Sequence, residues 1–243
     1  MAHLIRVWGL KRVNQKLLNM NMLNKIKVVN NPKYLVITPL KIGDKISKTT
    51  KKTVNRNKLP FDWICYEGNN NIPTNTILAW NEYKKTYFTP EYIIKIDNDI
   101  EMDRGLLDDM CKLLSNTDEQ IAYCYCPFSY ILPDGRSISF NNNFDKNKLL
   151  KQNYISSNSM IKTKSLYDVG GFVYESKYER LLDWALWLRF LYYGYEGILL
   201  NTKQFKTPLN ENNVSSRGAK DYQLKYKRVY EDFIKCIDQG HNS

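Results

Sequence analysis

Residues 91–99 read EYIIKIDND, an apolar run of β-favouring residues that ends in two carboxylates. Two similar runs precede it, at residues 34–38 and 61–67, and each gap between the runs is long enough for one helix. The pattern predicts a β-α-β-α-β unit, in which the crossovers are right-handed and the strands are parallel. Ligands of such sheets bind beyond the carboxyl ends of the strands, so the polar residues at those ends are the candidate site.

Asp97 and Asp99 stand at positions i and i+2 at the end of the third predicted strand. From an extended strand end, both carboxylates can face one side and share a hard cation such as Mg²⁺ or Mn²⁺, with water and the phosphates of a nucleotide diphosphate completing the shell. The alternative is that the two residues only cap a turn before the next helix. A calcium loop is excluded, because Met102 occupies the sixth place, where the sharp turn requires glycine.

Asp183 is the second candidate for chemistry, since it stands at the start of an otherwise apolar segment predicted as a helix over residues 182–193. One interpretation is a helix N-cap, which aspartate favours and where the helix dipole stabilises its charge. The other is a general base whose basicity rises through partial desolvation beside Trp184 and the leucines. The residues alone leave both open.

Local signals predict further elements downstream of the acid pair. These are a helix over 103–116 with Asp103 as N-cap, a strand over 121–127, a hairpin over 131–140 around Pro133-Asp134-Gly135, a C-terminal glycine cap at Gly194 and a terminal helix over 220–237. Strands alternating with helices define an α/β chain.

One main domain is expected for a chain of 243 residues, and we assign it to residues 32–218. Residues 1–31 form a basic amphipathic extension, with a helix predicted over 11–26 that packs on the domain or contacts a membrane surface or a partner. Residues 219–243 form the C-terminal helix and tail. The absence of an 18-residue apolar run and of a signal-peptide pattern, with five cysteines in no paired spacing, predicts a cytoplasmic protein with buried thiols.

The formal net charge of +11 indicates an anionic partner, and nucleic acid, an anionic lipid surface or a diphosphate substrate all satisfy it. The two histidines, His3 and His241, stand at opposite ends of the sequence. Catalytic triads that need histidine and histidine-ligated zinc are therefore excluded. Any chemistry must depend on carboxylates.

Four motifs follow one another along the chain: Asp97-Asn98-Asp99, SSNSMI at 156–161, VGGF at 169–172 and LDWALWLR at 182–189. In this order and spacing they resemble glycosyltransferase family 2, over about residues 34–216. The resemblance implies the GT-A fold, a mostly parallel central sheet flanked by helices with a small antiparallel hairpin. It also implies metal-dependent, inverting transfer of a sugar from a nucleotide diphosphate sugar, by default UDP-linked, to a hydroxyl of a glycan, lipid-linked or protein acceptor.

The resemblance further assigns roles to individual residues. It makes Asp183 the catalytic base and Asp97 and Asp99 the ligands of Mn²⁺ or Mg²⁺. It places Thr38, Pro39, Glu67, Asn75, Asp97 and Asn98 on the nucleotide side, and Ser157, Asn158 and Trp184 on the acceptor side. The metal set also includes Asn210, which stands where many members carry a histidine, with Glu211 as a substitute ligand and with Lys206 and Arg217 as phosphate ligands. Thr74 replaces an arginine of the family pattern.

Two other function classes compete with this assignment. A basic nucleic-acid-binding module accounts for the charge and the 18 tyrosines, but the chain lacks clustered basic and aromatic motifs, so we expect no nucleic-acid partner. A catalytically degenerate transferase fold that only binds ligands accounts for Asn210 and Thr74.

Overall fold

A computed structural model describes residues 22–68, 72–86, 89–172, 181–209 and 219–240 of the chain. The strands are β1 (Met22–Lys27), β2 (Tyr34–Lys41), β3 (Phe61–Gly68), β4 (Tyr92–Lys95), β5 (Glu101–Met102), β6 (Ile121–Tyr125), β7 (Phe128–Ile131), β8 (Ser137–Phe140), β9 (Met160–Lys162), β10 (Glu196–Leu199) and β11 (Phe205–Pro208). The helices are α1 (Lys48–Val54), α2 (Ile72–Thr86), α3 (Leu106–Ser115), α4 (Lys146–Leu149), α5 (Thr163–Asp168), α6 (Leu182–Tyr192) and α7 (Ala219–Gly240).

Within these ranges the central sheet has seven strands in the order β1-β3-β2-β4-β9-β6-β10. β2 pairs in parallel with both β3 and β4, which confirms the predicted β-α-β-α-β unit with α1 and α2 as its crossovers. β9 runs antiparallel to both of its neighbours, and β1 runs antiparallel to β3 at the edge. The other five strands point the same way, so the sheet is mostly parallel in direction, as expected.

The buried strands carry alternating side chains into two apolar clusters, one on each face of the sheet. Leu35 and Ile37 of β2 join the cluster that also holds side chains of α2, α6 and α7, whereas Tyr34 and Val36 join the cluster that holds α3. The apolar runs of the sequence are therefore continuous because both faces are covered. Across the described residues, no helix has the length and apolar character needed to cross a bilayer.

A smaller sheet of four strands, in the order β5-β11-β7-β8, is built onto this frame. β7 and β8 form the predicted hairpin around the turn at Gly135, whose φ of 84° suits glycine. β11 pairs in parallel with β7 and antiparallel with β5. Because β5 begins two residues after Asp99, this sheet lies directly beside the acid pair.

The predicted N-terminal helix is wrong where it can be checked. Residues 22–27 form strand β1, whereas residues 1–21 lie outside the described part of the chain. β1 pairs with β3, which would otherwise present the unsatisfied edge of the central sheet, and this pairing outweighs the helical spacing of apolar residues. The predicted domain boundaries stay predictions.

The prediction that Asp103 caps the following helix is also wrong. α3 begins at Leu106 after Gly105, and no side chain caps it. The Asp103 carboxylate instead accepts a hydrogen bond from the backbone N–H of Gln204 at 3.0 Å. Asp103 thereby fastens the start of α3 to the segment that leads into β11.

Two buried carboxylates outside the sheet edge serve as braces. Asp62 accepts hydrogen bonds from the Val29 amide at 2.9 Å and the Tyr83 hydroxyl at 2.7 Å. Asp108 accepts bonds from the Tyr34 hydroxyl at 3.1 Å and from the amides of Lys58 and Leu59. Both oxygens of each group have donors, so neither is left for chemistry.

The Gly-Gly turn at residues 170–171 is hydrogen-bonded to helix α6. Gly170 and Gly171 have φ of 87° and 80°, values that side chains rarely adopt. The buried Arg189 of α6 donates to the carbonyls of Val169 at 3.1 Å and Gly171 at 2.7 Å. Two of the motifs noted in the sequence are therefore held together by one guanidinium group.

Tyr123 of β6 positions α6 against the sheet. Its ring stacks on Trp187 with centroids 4.6 Å apart and lies 5.4 Å from Phe190. Gly197 on the neighbouring β10 makes room for this ring, because a Cβ at that position would lie 2.3 Å from the Tyr123 ring.

We expect Gly197→Ala to lower the free energy of unfolding by about 1–3 kcal/mol, since the buried ring must shift to admit the methyl group. Denaturant titration measures this change. In a Tyr123→Leu background the same substitution should cost less, because the clashing ring is gone. An equal cost in both backgrounds would contradict the role given to Tyr123.

Candidate active site

The acid pair follows β4 at the sheet edge where β2 and β3 also end. The Asp97 carboxylate contacts the Lys95 ammonium through both oxygens, at 2.8 and 2.9 Å, and the Ser157 hydroxyl at 3.5 Å. The Asp97 amide donates to the side-chain carbonyl of Asn158 at 3.0 Å. The SSNSMI segment of the sequence therefore lies directly against the first carboxylate.

Asp99 is the less compensated member of the pair. Burial raises the pKa of its carboxyl, and the neighbouring charge of Asp97 raises that pKa further. A hydrogen bond to the side chain of Thr207 on β11 and the charge of Lys95 act in the opposite direction. Two carboxylates that repel each other at a partly open sheet edge match the donor set of a hard cation.

Asn98 ties the acid pair to the loop that precedes α1. Its side-chain carbonyl accepts from the Ser47 amide at 2.8 Å, and its amide nitrogen donates to the Lys45 carbonyl at 2.8 Å. The Thr50 hydroxyl donates to the backbone carbonyls of Asn98 at 2.9 Å and Ile100 at 3.0 Å. The turn that carries Asp97 and Asp99 is thus fixed from outside by the backbone of Lys45 and Ser47 and by the Thr50 side chain.

Asp183 lies in the first turn of α6, but not at its N-cap. The cap residue is Leu181, which makes no side-chain cap bond, so the N-cap interpretation of Asp183 is wrong. Its Oδ1 accepts from the Trp184 amide at 2.8 Å and from the Asn153 side-chain amide at 3.1 Å. Within the described part of the chain no hydrogen bond reaches its Oδ2.

Burial raises the pKa of the Asp183 carboxyl above its ordinary value. The Trp184 amide, the Asn153 amide and the Lys95 charge oppose that rise by favouring the ionised form. A part-buried carboxylate with a raised pKa and one oxygen free of hydrogen bonds can accept a proton from a bound hydroxyl group.

One loop connects the base candidate to the acid pair. Asn153 contacts Asp183, and Ser157 and Asn158 contact Asp97. Four residue steps of chain span at most about 14 Å, so both carboxylates lie along one short stretch. The charge of Lys95 favours the ionised forms of both Asp99 and Asp183, so the lysine lies near both carboxylates.

The predicted nucleotide loop begins later than expected. Thr38 is fully buried, and its hydroxyl oxygen accepts a hydrogen bond from the Trp63 indole at 3.0 Å. Pro39 is also buried, because β2 continues to Lys41. Thr38 and Pro39 are therefore unavailable for direct nucleotide contact, and the exposed loop starts at residue 42.

Two other residues assigned to the nucleotide side shape the rim of the pocket. The Glu67 carboxylate accepts from the Gly43 amide at 2.8 Å and holds the turn after β2. The buried Asn75 donates to the carbonyls of Leu40 at 2.7 Å and Gly68 at 3.2 Å, at the ends of β2 and β3. Thr74 is buried beside it.

Trp184 does not face the pocket. Its ring is fully buried and stacks on Tyr226 of α7 with centroids 4.5 Å apart, and its indole N–H donates to the Leu149 carbonyl at 2.7 Å. The predicted acceptor contact of Trp184 is corrected accordingly, because its ring is packed between helices. Its backbone amide remains the residue's contribution to Asp183.

Three residues at the site had no assigned role in the sequence: Lys95, Asn153 and Thr207. The Lys95 contact could have been predicted from the sequence, because Lys95 stands two residues before Asp97 at the same strand end and such residues share a face. Asn153 and Thr207 had no such signal, since each reaches its partner through tertiary packing. Asn210, Glu211 and Arg217 lie outside the described residues, and Lys206 lies half-buried on β11.

Other potential ligands do not assemble within the described ranges. No group of three or more histidine, cysteine, aspartate or glutamate side chains is placed to hold a metal there. Cys65, Cys111, Cys124 and Cys126 are buried free thiols. The acid pair and Asp183 are the carboxylates of interest.

The architecture is that of the GT-A fold, a central sheet flanked by helices with a small antiparallel hairpin beside the acid pair. Solved structures of Staphylococcus aureus TarS share it. TarS residues 1–349 in complex with UDP match with a TM-score of 0.58 at 12% identity, covering 83% of this chain and 65% of that chain. The complex with UDP-GlcNAc gives 0.55 at 13% identity, covering 83% and 66%.

The chain thus spans about two thirds of these TarS structures, and 39% of a longer TarS structure that it matches with a TM-score of 0.51 at 11% identity. No family model matches the sequence. No curated protein matches it either. At this identity the likeness establishes the fold.

We expect Asp183→Asn to melt at an equal or higher temperature than the wild type at pH 7. A carboxyl whose folded-state pKa is raised opposes folding once it ionises, so the gain should shrink as pH falls below that pKa. Thermal melts between neutral and mildly acidic pH measure the difference. The control is Asp134→Asn, at an exposed carboxyl whose pKa is lowered mainly by the Arg136 amide, and it should give no such gain. A lower melting temperature for Asp183→Asn at pH 7 would contradict the raised pKa of Asp183.

Proposed function

We propose that the protein is a glycosyltransferase that moves a sugar from a nucleotide diphosphate donor to an acceptor hydroxyl with inversion of the anomeric centre. The observation that carries this proposal is the loop of residues 153–158, which contacts Asp183 at one end and Asp97 at the other. Inverting displacement needs a base and a leaving-group site on opposite sides of one sugar, and this short loop contacts a candidate for each.

The donor proposal rests on the fold. Two of the TarS structures that share it are complexes with UDP and with UDP-GlcNAc, so a UDP-linked sugar is the first donor to test. The loop that starts at residue 42, the brace formed by Glu67 and the acid pair lie at one edge of the sheet, where α/β proteins bind nucleotides. Asn98 holds that loop against the acid pair.

The reaction we propose uses Asp183 as the base. Its Oδ2 accepts the proton of the acceptor hydroxyl as that oxygen attacks the anomeric carbon. The bond between the anomeric carbon and the phosphate oxygen breaks, and the nucleotide diphosphate leaves with the bonding electrons. Asn153 and the Trp184 amide hold Oδ1 throughout and keep the carboxylate oriented.

The acid pair fits a divalent cation, which we propose to be Mn²⁺ or Mg²⁺. Asp99 and Asp97 would hold it, and when bound it supplies positive charge to the departing diphosphate. The raised pKa of Asp99, caused by burial and then by the Asp97 charge, is the observation that favours a cation here. The acceptor we propose is a glycan, a lipid-linked saccharide or a protein, each of which offers a hydroxyl group.

A catalytically degenerate GT-A protein that only binds nucleotide sugars is the second candidate. The replacement of an arginine of the family pattern by Thr74 favours it, because a neutral buried hydroxyl cannot neutralise phosphate. Slow release of UDP from a nucleotide sugar by the purified protein would dismiss this candidate. Salt-sensitive RNA or DNA binding without such release would instead favour a nucleic-acid module.

We expect the wild type to release UDP from UDP-GlcNAc with Mn²⁺, and Asp183→Asn to lower that rate by about 10²- to 10⁴-fold, because the general base is lost. UDP release is measured by a coupled assay and UDP binding by calorimetry. Binding should persist in the variant. Asp168→Asn, at an exposed carboxylate that bonds the Tyr195 hydroxyl, is the control and should leave the rate unchanged. Full activity in Asp183→Asn would remove Asp183 from the role of base.

Asp99→Ala should abolish the Mn²⁺-dependent part of UDP binding, since the less compensated ligand of the acid pair is removed. Calorimetry with and without Mn²⁺ measures that part. Glu101→Ala is the matched control, because Glu101 is an exposed carboxylate two residues further along. Unaltered Mn²⁺-dependent binding in Asp99→Ala would contradict the metal assignment.

A further inference from the structure

The ammonium group of Lys95 is paired with the Asp97 carboxylate, which is one of the two proposed metal ligands. The Lys95 nitrogen lies 2.8 and 2.9 Å from the two oxygens of Asp97. The side chains are 17% and 31% exposed, so the pair is shielded from solvent more than a surface ion pair. Because residues i and i+2 of a strand share a face, the lysine reaches Asp97 without any rearrangement of the chain.

A divalent cation and this ammonium group compete for the same two oxygens. Both are positive, and in a partly desolvated site their repulsion is not screened away. Asp99 has no such ammonium contact among the described residues, and its partner is the Thr207 side chain. Without nucleotide, a metal ion is therefore offered the Asp99 carboxylate, the Thr207 hydroxyl and water.

A nucleotide diphosphate changes this balance. Its phosphate oxygens add ligands for the metal and negative charge for the ammonium group, which binds phosphate as a compact point charge. Lys95 can then release Asp97 to the metal and pair with the diphosphate, through a rotation of its own side chain.

We propose that Lys95 holds Asp97 in the free protein and withholds it from the divalent cation until the nucleotide diphosphate binds. The metal site is then incomplete in the absence of donor, and metal and donor bind together. This inference rests on the proposed function, because it takes the acid pair as the metal and diphosphate site.

The test is calorimetric titration of Mn²⁺ into the protein without nucleotide and with saturating UDP. Lys95→Met, which keeps an unbranched side chain one atom shorter and removes the charge, should bind Mn²⁺ alone about tenfold tighter than the wild type. With UDP present the difference should narrow or reverse, because the variant lacks the cation that pairs with the diphosphate. Lys95→Arg, which keeps a positive charge beside Asp97, should behave like the wild type for Mn²⁺ alone.

The same measurement in an Asp97→Asn background isolates the pair. Adding Lys95→Met there should raise Mn²⁺ affinity by much less than tenfold, since the contested carboxylate is gone and only the effect of the lysine charge on Asp99 remains. Equal Mn²⁺ affinity of the wild type and Lys95→Met, including no detectable binding by either, overturns the proposal. A gain of the same size without Asp97 also overturns it. Circular dichroism and thermal melts confirm folding, and Lys95→Gln replaces Lys95→Met if the latter does not fold.

The two levels of inference fail separately. Mn²⁺ titration needs no turnover, so tighter binding by Lys95→Met with no UDP release from any nucleotide sugar supports the lysine exchange and removes the transferase function. UDP release from UDP-GlcNAc with equal Mn²⁺ affinities removes only the role of Lys95.

Discussion

Burying carboxylates without compensation is costly, and the edge of this sheet concentrates three of them. Asp97 is compensated by Lys95 and Asp99 by Thr207, while Asp183 relies on an amide side chain and a backbone N–H. Each compensating group comes from a different part of the chain. The strand order, the loop of residues 153–158 and the small sheet all have to be in place before these charges can be tolerated together.

The incompleteness of that compensation distinguishes this edge from the rest of the molecule. Asp62 and Asp108 are also carboxylates and are more deeply buried, yet both of their oxygens have donors, and they serve as braces. At the edge, the pKa of Asp99 and the pKa of Asp183 are both raised by burial. Carboxyl groups with shifted pKa values are common in sites that bind or transform a ligand.

The fold shared with TarS at 12–13% identity follows from what the sheet requires. Many sequences can supply what this sheet needs: alternating buried side chains on both faces, two crossover helices and a covered edge. The chemistry is less interchangeable, because it depends on which polar groups are present at the strand ends. In this chain Lys95 and Thr74 both bear on how charge is handled near the proposed donor site.

Local patterns predicted a large part of the structure. The parallel trio of β2, β3 and β4, the hairpin of β7 and β8, and the two late helices depend on short-range signals: apolar runs, Pro133-Asp134-Gly135 and Gly194. The acid pair and Asp183 were also identifiable, because a charged residue that interrupts an apolar pattern stands out. The expectation that they act in one site came from the resemblance rather than from the pattern.

Tertiary structure decided the rest, for one physical reason: the partner of a polar or edge group is set by contacts distant in sequence. β1 is a strand because β3 has an open edge, and Thr38 is buried because β2 runs on beneath Trp63. Trp184 turns away from the pocket because α7 covers it, and Asn153 reaches Asp183 across 30 residues of chain. The sequence by itself determined which residues carry charge and which strands are buried, and only packing determined which charge meets which partner.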